Sequence, residues 1–170
     1  MSKAKKISID KADPKKLFYF VANVIVFRDK DKRCLILKRS LNEKVHPGKY
    51  CVPGGKLEWA DLDIKKPTKM NGDVYDFDNV LEKLLIREVK EEAGLKIGNE
   101  LKCICNTAFI RPDGIPVMML KFSVKYIGGK IKLEKDSFVD YAWVNKVELK
   151  KYDLIGGIDK EIIKALNSYK

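Results

Sequence analysis

Apolar and polar positions alternate along this chain in two rhythms. Leu17 to Phe27 is an aromatic and β-branched run, and Arg33 to Lys38 is a second one. Both predict strands, and Asp29-Lys30-Asp31-Lys32 between them predicts a turn, so an early hairpin is expected. Ser40 to Lys49, with Pro47-Gly48, reads as a loop, and Tyr50 to Val52 as a short strand broken by Pro53-Gly54-Gly55. The rhythm then changes. Leu81, Leu84, Leu85, Val89 and Ala93 recur at helical spacing. Asn79-x-x-Glu82 has the form of a capping box before that stripe, and Gly94 stands where a helix C-cap belongs. Strands are predicted again over Leu101–Ile110, Pro116–Tyr126 and Tyr141–Val144, then a terminal helix over Asp159–Tyr169. Strands on both flanks of a central helix place the chain in the α+β class.

The remaining stretches are polar. Residues 1–16 are rich in lysine and predict a basic, flexible N-terminal arm, leaving 17–170 as a single domain. Residues 61–78, with Pro67 and Asn71-Gly72, predict an excursion outside the core. It is the candidate for a lid or for an oligomer contact, which would make the protein a homodimer. A tolerated surface insertion is the plainer alternative, because long loops cost little closure entropy. No apolar run approaches the roughly 18 residues of a membrane span, and the N-terminus lacks the apolar stretch of a signal peptide. A cytoplasmic protein with no membrane partner is therefore expected.

Charge changes the picture only slightly. The formal net charge is +11, which suits an anionic ligand such as a nucleotide. Nucleic acid is the weaker alternative, since the lysines mostly alternate with Asp and Glu and form no visible basic face. Four cysteines lie in strand-like segments, and with His46 the sole histidine they make no zinc pattern. Cys103-x-Cys105 would put two small buried thiols on one strand face.

The candidate chemistry sits at the end of the central helix. Arg87-Glu88-Val89-Lys90-Glu91-Glu92-Ala93-Gly94-Leu95 places three carboxylates within one turn. Like charges that close repel, and a hard divalent cation with oxygen ligands relieves them. A solvated helix face with modest ion pairs is the bland alternative for Glu88, Glu91 and Glu92 taken alone. The upstream Pro53-Gly54-Gly55-Lys56-Leu57-Glu58, where backbone can approach such a site, tips the balance toward metal-assisted phosphoryl chemistry.

With these two segments the chain resembles the Nudix hydrolase family, whose signature is G-x5-E-x7-R-E-U-x-E-E-x-G-U, U being a bulky aliphatic. Arg87, Glu88, Val89, Glu91, Glu92, Gly94 and Leu95 match its right half, and Gly54-Gly55-Lys56-Leu57-Glu58 its opening. The family places thirteen residues between the opening Gly and the Arg; here residues 56–86 intervene, 18 more. Counting forward from Gly55 puts the motif's first Glu on Asp61, and counting back from Arg87 puts it on Asn79. The departure leaves the partner of Arg87 open.

The resemblance implies a Nudix-type α/β/α sandwich with a mixed β-sheet. It implies a Mg2+-dependent (or Mn2+-dependent) pyrophosphohydrolase that cleaves the phosphoanhydride of a nucleoside diphosphate linked to another moiety. Glu88, Glu91 and Glu92 would be metal ligands and catalytic residues, with Glu58 and a carbonyl of Gly54 or Gly55 as further ligands. Arg87 would orient a glutamate through a bidentate pair. Arg39, Gly55 and Glu58 are candidates for substrate contact, Arg39 being equally well a surface arginine. The base is Glu88 or a later-loop carboxylate, for which Glu134, Asp136 and Asp140 are available. Trp59 and Tyr50 are candidates for stacking a base, Tyr50 with the better claim to the core. Two other readings stand beside this one: a non-catalytic nucleotide-binding sensor, and a hydrolase of RNA ends.

Overall fold

The computed structural model describes residues 3–169, so Met1, Ser2 and Lys170, at the outer ends of the expected arm and domain, lie outside it. Strand β1 (Tyr19–Arg28) turns into β2 (Arg33–Arg39) with Phe27 opposite Cys34, the expected hairpin. The short strands β3 (Tyr50–Cys51) and β4 (Gly54–Lys56) follow. A detached two-stranded hairpin comes next, β5 (Lys69–Asn71) and β6 (Val74–Asp76). After helix α1 (Val80–Ala93) come β7 (Leu95–Ile97), β8 (Lys102–Ile110), β9 (Pro116–Gly129), β10 (Phe138–Val144) and helix α2 (Ile158–Ser168).

The main sheet runs β10-β2-β1-β9-β7, with β3 beside β2, β4 beside β1 and β8 beside β9. Among the strands of the described residues only the central β1–β9 pair is parallel, from Tyr19 opposite Val117 to Phe27 opposite Lys125. Val24 to Phe27 and Cys34 to Leu37 are buried without a break. Strands hidden on both faces read as continuous apolar runs rather than alternating ones, because α1 and α2 both pack on this sheet. The mixed sheet between two helices is an α+β sandwich. No helix among the described residues is long and apolar enough to cross a membrane.

Local expectations need correction at four places. Asn79 caps nothing: it has left-handed backbone (φ 57°) and no side-chain cap bond, so the apparent capping box is coincidental. Gly94 does close α1, with φ 70° and its N–H bonded to Lys90 O. Gly54 and Gly55 form strand β4 rather than a turn, and neither has positive φ. β7 was not foreseen, being only three residues long. A bulge in β8 pairs Cys103 with Phe122 but Cys105 with Lys121, adjacent residues on opposite faces of β9, and leaves Cys103 exposed.

Candidate active site

Glycine sets the distance between α1 and the sheet. A Cβ on Gly55 would lie 2.4 Å from the Glu88 carboxyl carbon and 2.5 Å from its Oε1. A Cβ on Gly54 would meet Ala22 O and Asn23 Oδ1, each at 2.4 Å. These glycines are required for the space they leave. Val24 N donates to Pro53 O and Leu57 N to Phe20 O. Bonded pairs alternate along an antiparallel ladder, so Gly55 turns its polar groups toward β1 and Gly54 turns its own outward. The Gly54 N–H accordingly donates to Glu92 Oε2 at 3.0 Å.

Carboxylates crowd here. Burial pushes the Glu92 carboxyl up to about 8, and the negative charges of Glu88 and Glu134 add to that, opposed by the Gly54 N–H and by Arg39. Burial also raises Glu88, with Glu91, Asp61 and Glu134 pushing the same way and Arg87 opposing. Arg87 reaches Asp61 at 3.1 Å and Glu88 at 3.3 Å through the same Nη2. It bridges two carboxylates through one nitrogen instead of gripping one with both.

Asp61 is therefore the partner that sequence counting left open, and Asn79 is not. It ends a single 3-10 turn (Trp59–Asp61), where its Oδ2 accepts from Glu58 N at 2.9 Å. The 18 additional residues follow it, so Asp61 belongs to the site and not to the excursion. Among the later carboxylates only Glu134 comes close. Its N–H donates to Glu92 O at 3.0 Å, holding the 130–137 loop against the end of α1. Asp140 instead accepts from Tyr50 OH at 2.6 Å, and Asp136 is a turn residue with φ 70°.

The remaining candidates scatter. Glu91 projects into solvent, one turn from Glu88. Glu58 is exposed at the strand end, and Trp59 is 53% exposed. Tyr50 is core, its ring edge-on to Tyr152. Arg39 pairs with Glu43 and donates from Nε to Val45 O at 2.8 Å, which fastens it to the 40–49 loop. His46 is exposed there.

Among the described residues, no three His, Cys, Asp or Glu side chains stand close enough together to grip a metal ion as they are placed. The donor chemistry nevertheless fits a hard cation. Two carboxylates whose ionisation burial disfavours, with each other's charge adding to it, stand beside an outward-facing glycine carbonyl.

A profile of the NUDIX domain matches residues 19–166. The chain belongs to the Nudix family, and it is a hydrolase acting on pyrophosphate bonds of nucleotide-derived small molecules. Solved structures of similar fold include the MutT Nudix hydrolase of Burkholderia pseudomallei, at 18% identity and TM-score 0.65, covering 88% of this chain and 98% of that one. The MutT protein of Methanosarcina mazei Go1 is similar at 22% identity and TM-score 0.62, covering 93% and 99%. The Nudix domain of Shewanella oneidensis NrtR, in a complex with ADP ribose, is similar at 15% identity and TM-score 0.67, covering 95% and 96%. No curated protein matches the chain.

Proposed function

We propose that this protein is a Mg2+-dependent pyrophosphohydrolase cleaving the phosphoanhydride of a nucleoside diphosphate linked to another moiety, Mn2+ serving as well. The observation that carries the proposal is the packing of Glu88 on Gly55 and of Glu92 on the Gly54 N–H. It concentrates negative charge at one edge of the sheet, where only a cation makes it favourable.

Glu88, Glu91 and Glu92 would hold the metal, with the Gly54 carbonyl as a backbone ligand and Glu58 at the rim. A bound divalent ion neutralises phosphate oxygens and acidifies a coordinated water. The protein's own work is positioning. Gly55 lets the Glu88 carboxylate lie flat on β4, and Arg87, steadied by Asp61, fixes its direction. Glu134, across the end of α1, accepts the proton of the attacking water. Arg39, near Glu92, offers its remaining N–H groups to a phosphate.

The test is a panel of nucleoside triphosphates, ADP-ribose and dinucleoside polyphosphates with Mg2+, scored by the products released. ADP-ribose belongs in it because the NrtR domain carries it. Turnover abolished by Glu92→Gln supports the proposal. Binding without turnover makes the chain a sensor instead. The RNA-end reading draws no support from the excursion, where residues 62–79 hold three lysines against Asp63, Asp73, Asp76 and Asp78.

A further inference from the structure

A cavity opens beside the site, between the returning end of the excursion and the first turns of α1. It has a volume of about 170 Å3 and is lined by Asp61, Phe77, Val80, Lys83, Leu84 and Arg87. Val80, Lys83, Leu84 and Arg87 form one helical stripe that leads to Glu88 and Glu91. Phe77 is supplied by the 18 extra residues, which thus furnish one wall of the cavity. Its floor is aromatic and aliphatic. Asp61 is matched by Arg87 at 3.1 Å, which leaves the Lys83 ammonium in excess at the wall, and Lys83 spends one bond on Asp78 O at 3.1 Å.

We propose that this cavity is the subsite for the second moiety of the substrate, and that the moiety is a nucleobase on its phosphate. The proposal rests on the reading of the Glu88–Glu92 edge as the phosphoanhydride site. Ligand pockets for whole drug-sized molecules start near 300 Å3, so this smaller one takes a single ring system. Phe77 provides a stacking surface, while Lys83 and the outer edge of Arg87 meet phosphate oxygens. From Lys83 to Glu91 the helix rises about 12 Å, the reach of a polyphosphate between two nucleosides and more than a triphosphate needs beyond the cleaved bond. A dinucleoside polyphosphate fills both places.

The experiment uses the full chain, Phe77→Ala and Lys83→Met. KM and kcat are measured on a dinucleoside tetraphosphate, ADP-ribose and a nucleoside triphosphate, and equilibrium binding of the dinucleotide is followed calorimetrically without divalent metal. Both variants should raise KM for the dinucleotide about tenfold more than for the triphosphate, a size typical of a lost base stack, and should weaken metal-free binding equally. Lys83→Met alters an exposed side chain and keeps the test valid should Phe77→Ala fold poorly. Equal effects on all three substrates, or none, overturn the subsite. Weakened dinucleotide binding in a protein that hydrolyses nothing would leave the subsite standing and remove the hydrolytic reading instead.

Discussion

Asp61 and Arg87 stand at opposite ends of an 18-residue interruption, yet their side chains meet at 3.1 Å. The family motif is thus broken in sequence and closed in space. Because the same Arg87 nitrogen also reaches Glu88, Asp61 acts on the site through Arg87. Asp61→Asn removes the charge that balances the guanidinium and lets it pull Glu88 off line. Activity should fall by about tenfold or more, the usual cost of losing a residue that orients a metal ligand. Asp61→Glu should recover part of it. Adding Asn79→Asp to Asp61→Asn should recover none, which steady-state kinetics on the four proteins would show; a rescue would move the partner to position 79.

Gly55 offers a sharper test of geometry. An alanine methyl there would fall 2.4–2.7 Å from three atoms of the Glu88 carboxyl group, so the carboxylate must swing away. A shift of about 1 Å in a reacting group costs on the order of 100-fold in rate, and kcat of Gly55→Ala should drop by that much, with weaker Mn2+ binding by titration. Gly156→Ala is the control, since a Cβ there meets nothing within 4 Å. It should change neither quantity.

How much of this was legible in the sequence depended on what the signal measured. The stripe Leu81-Leu84-Leu85-Val89-Ala93 marks the buried side of α1, and four of its five positions, Leu84, Leu85, Val89 and Ala93, are the buried residues of that helix. Helical spacing also puts Glu88, Glu91 and Glu92 within about one turn, where Glu88 and Glu92 are half-buried and Glu91 is exposed. The Gly54-Gly55 pair reads as a turn because glycine usually marks one, yet both residues lie in β4, and of the two expectations only the close approach to a carboxylate holds. Asp61 and Asn79 were equivalent by counting, since an insertion leaves no trace of which side it entered. The cysteine pair failed for a third reason: a one-residue bulge reverses the faces beyond it, and nothing in Lys102 to Ile110 announces one.

Glu134 should be separable from the glutamates proposed to bind metal. Its charge acts on Glu88 and Glu92 alike, and its backbone is tied to α1. As the base, it should give Glu134→Gln a kcat lower by at least about 100-fold with KM little changed, and the acidic limb of the pH–rate profile should vanish. A modest loss with the limb merely displaced would assign the proton to Glu88.

The metal-free protein should become less stable as pH rises. Glu92 in the folded state holds its proton up to about 8, against an ordinary value of 4.5. Below pH 4.5 the carboxyl is protonated in both states and costs nothing. Between 4.5 and 8 the unfolded chain ionises while the folded one does not, so the folded state binds more protons and stability declines as pH increases. The decline is complete once pH passes the folded value. Glu88, raised in the same direction, steepens it. For Glu92 the effect is on the order of 5 kcal/mol, at 1.36 kcal/mol per tenfold change in proton affinity. Thermal melts in chelator from pH 5 to 9 should show a falling Tm, and Glu92→Gln should flatten the curve by removing the group that resists ionisation. Divalent metal should reverse the trend in the wild type, because it binds the ionised carboxylates and displaces their protons. If Glu92→Gln melts with the same pH slope as the wild type, the crowding of charge at the Gly54 edge is not what the protein pays to hold a cation.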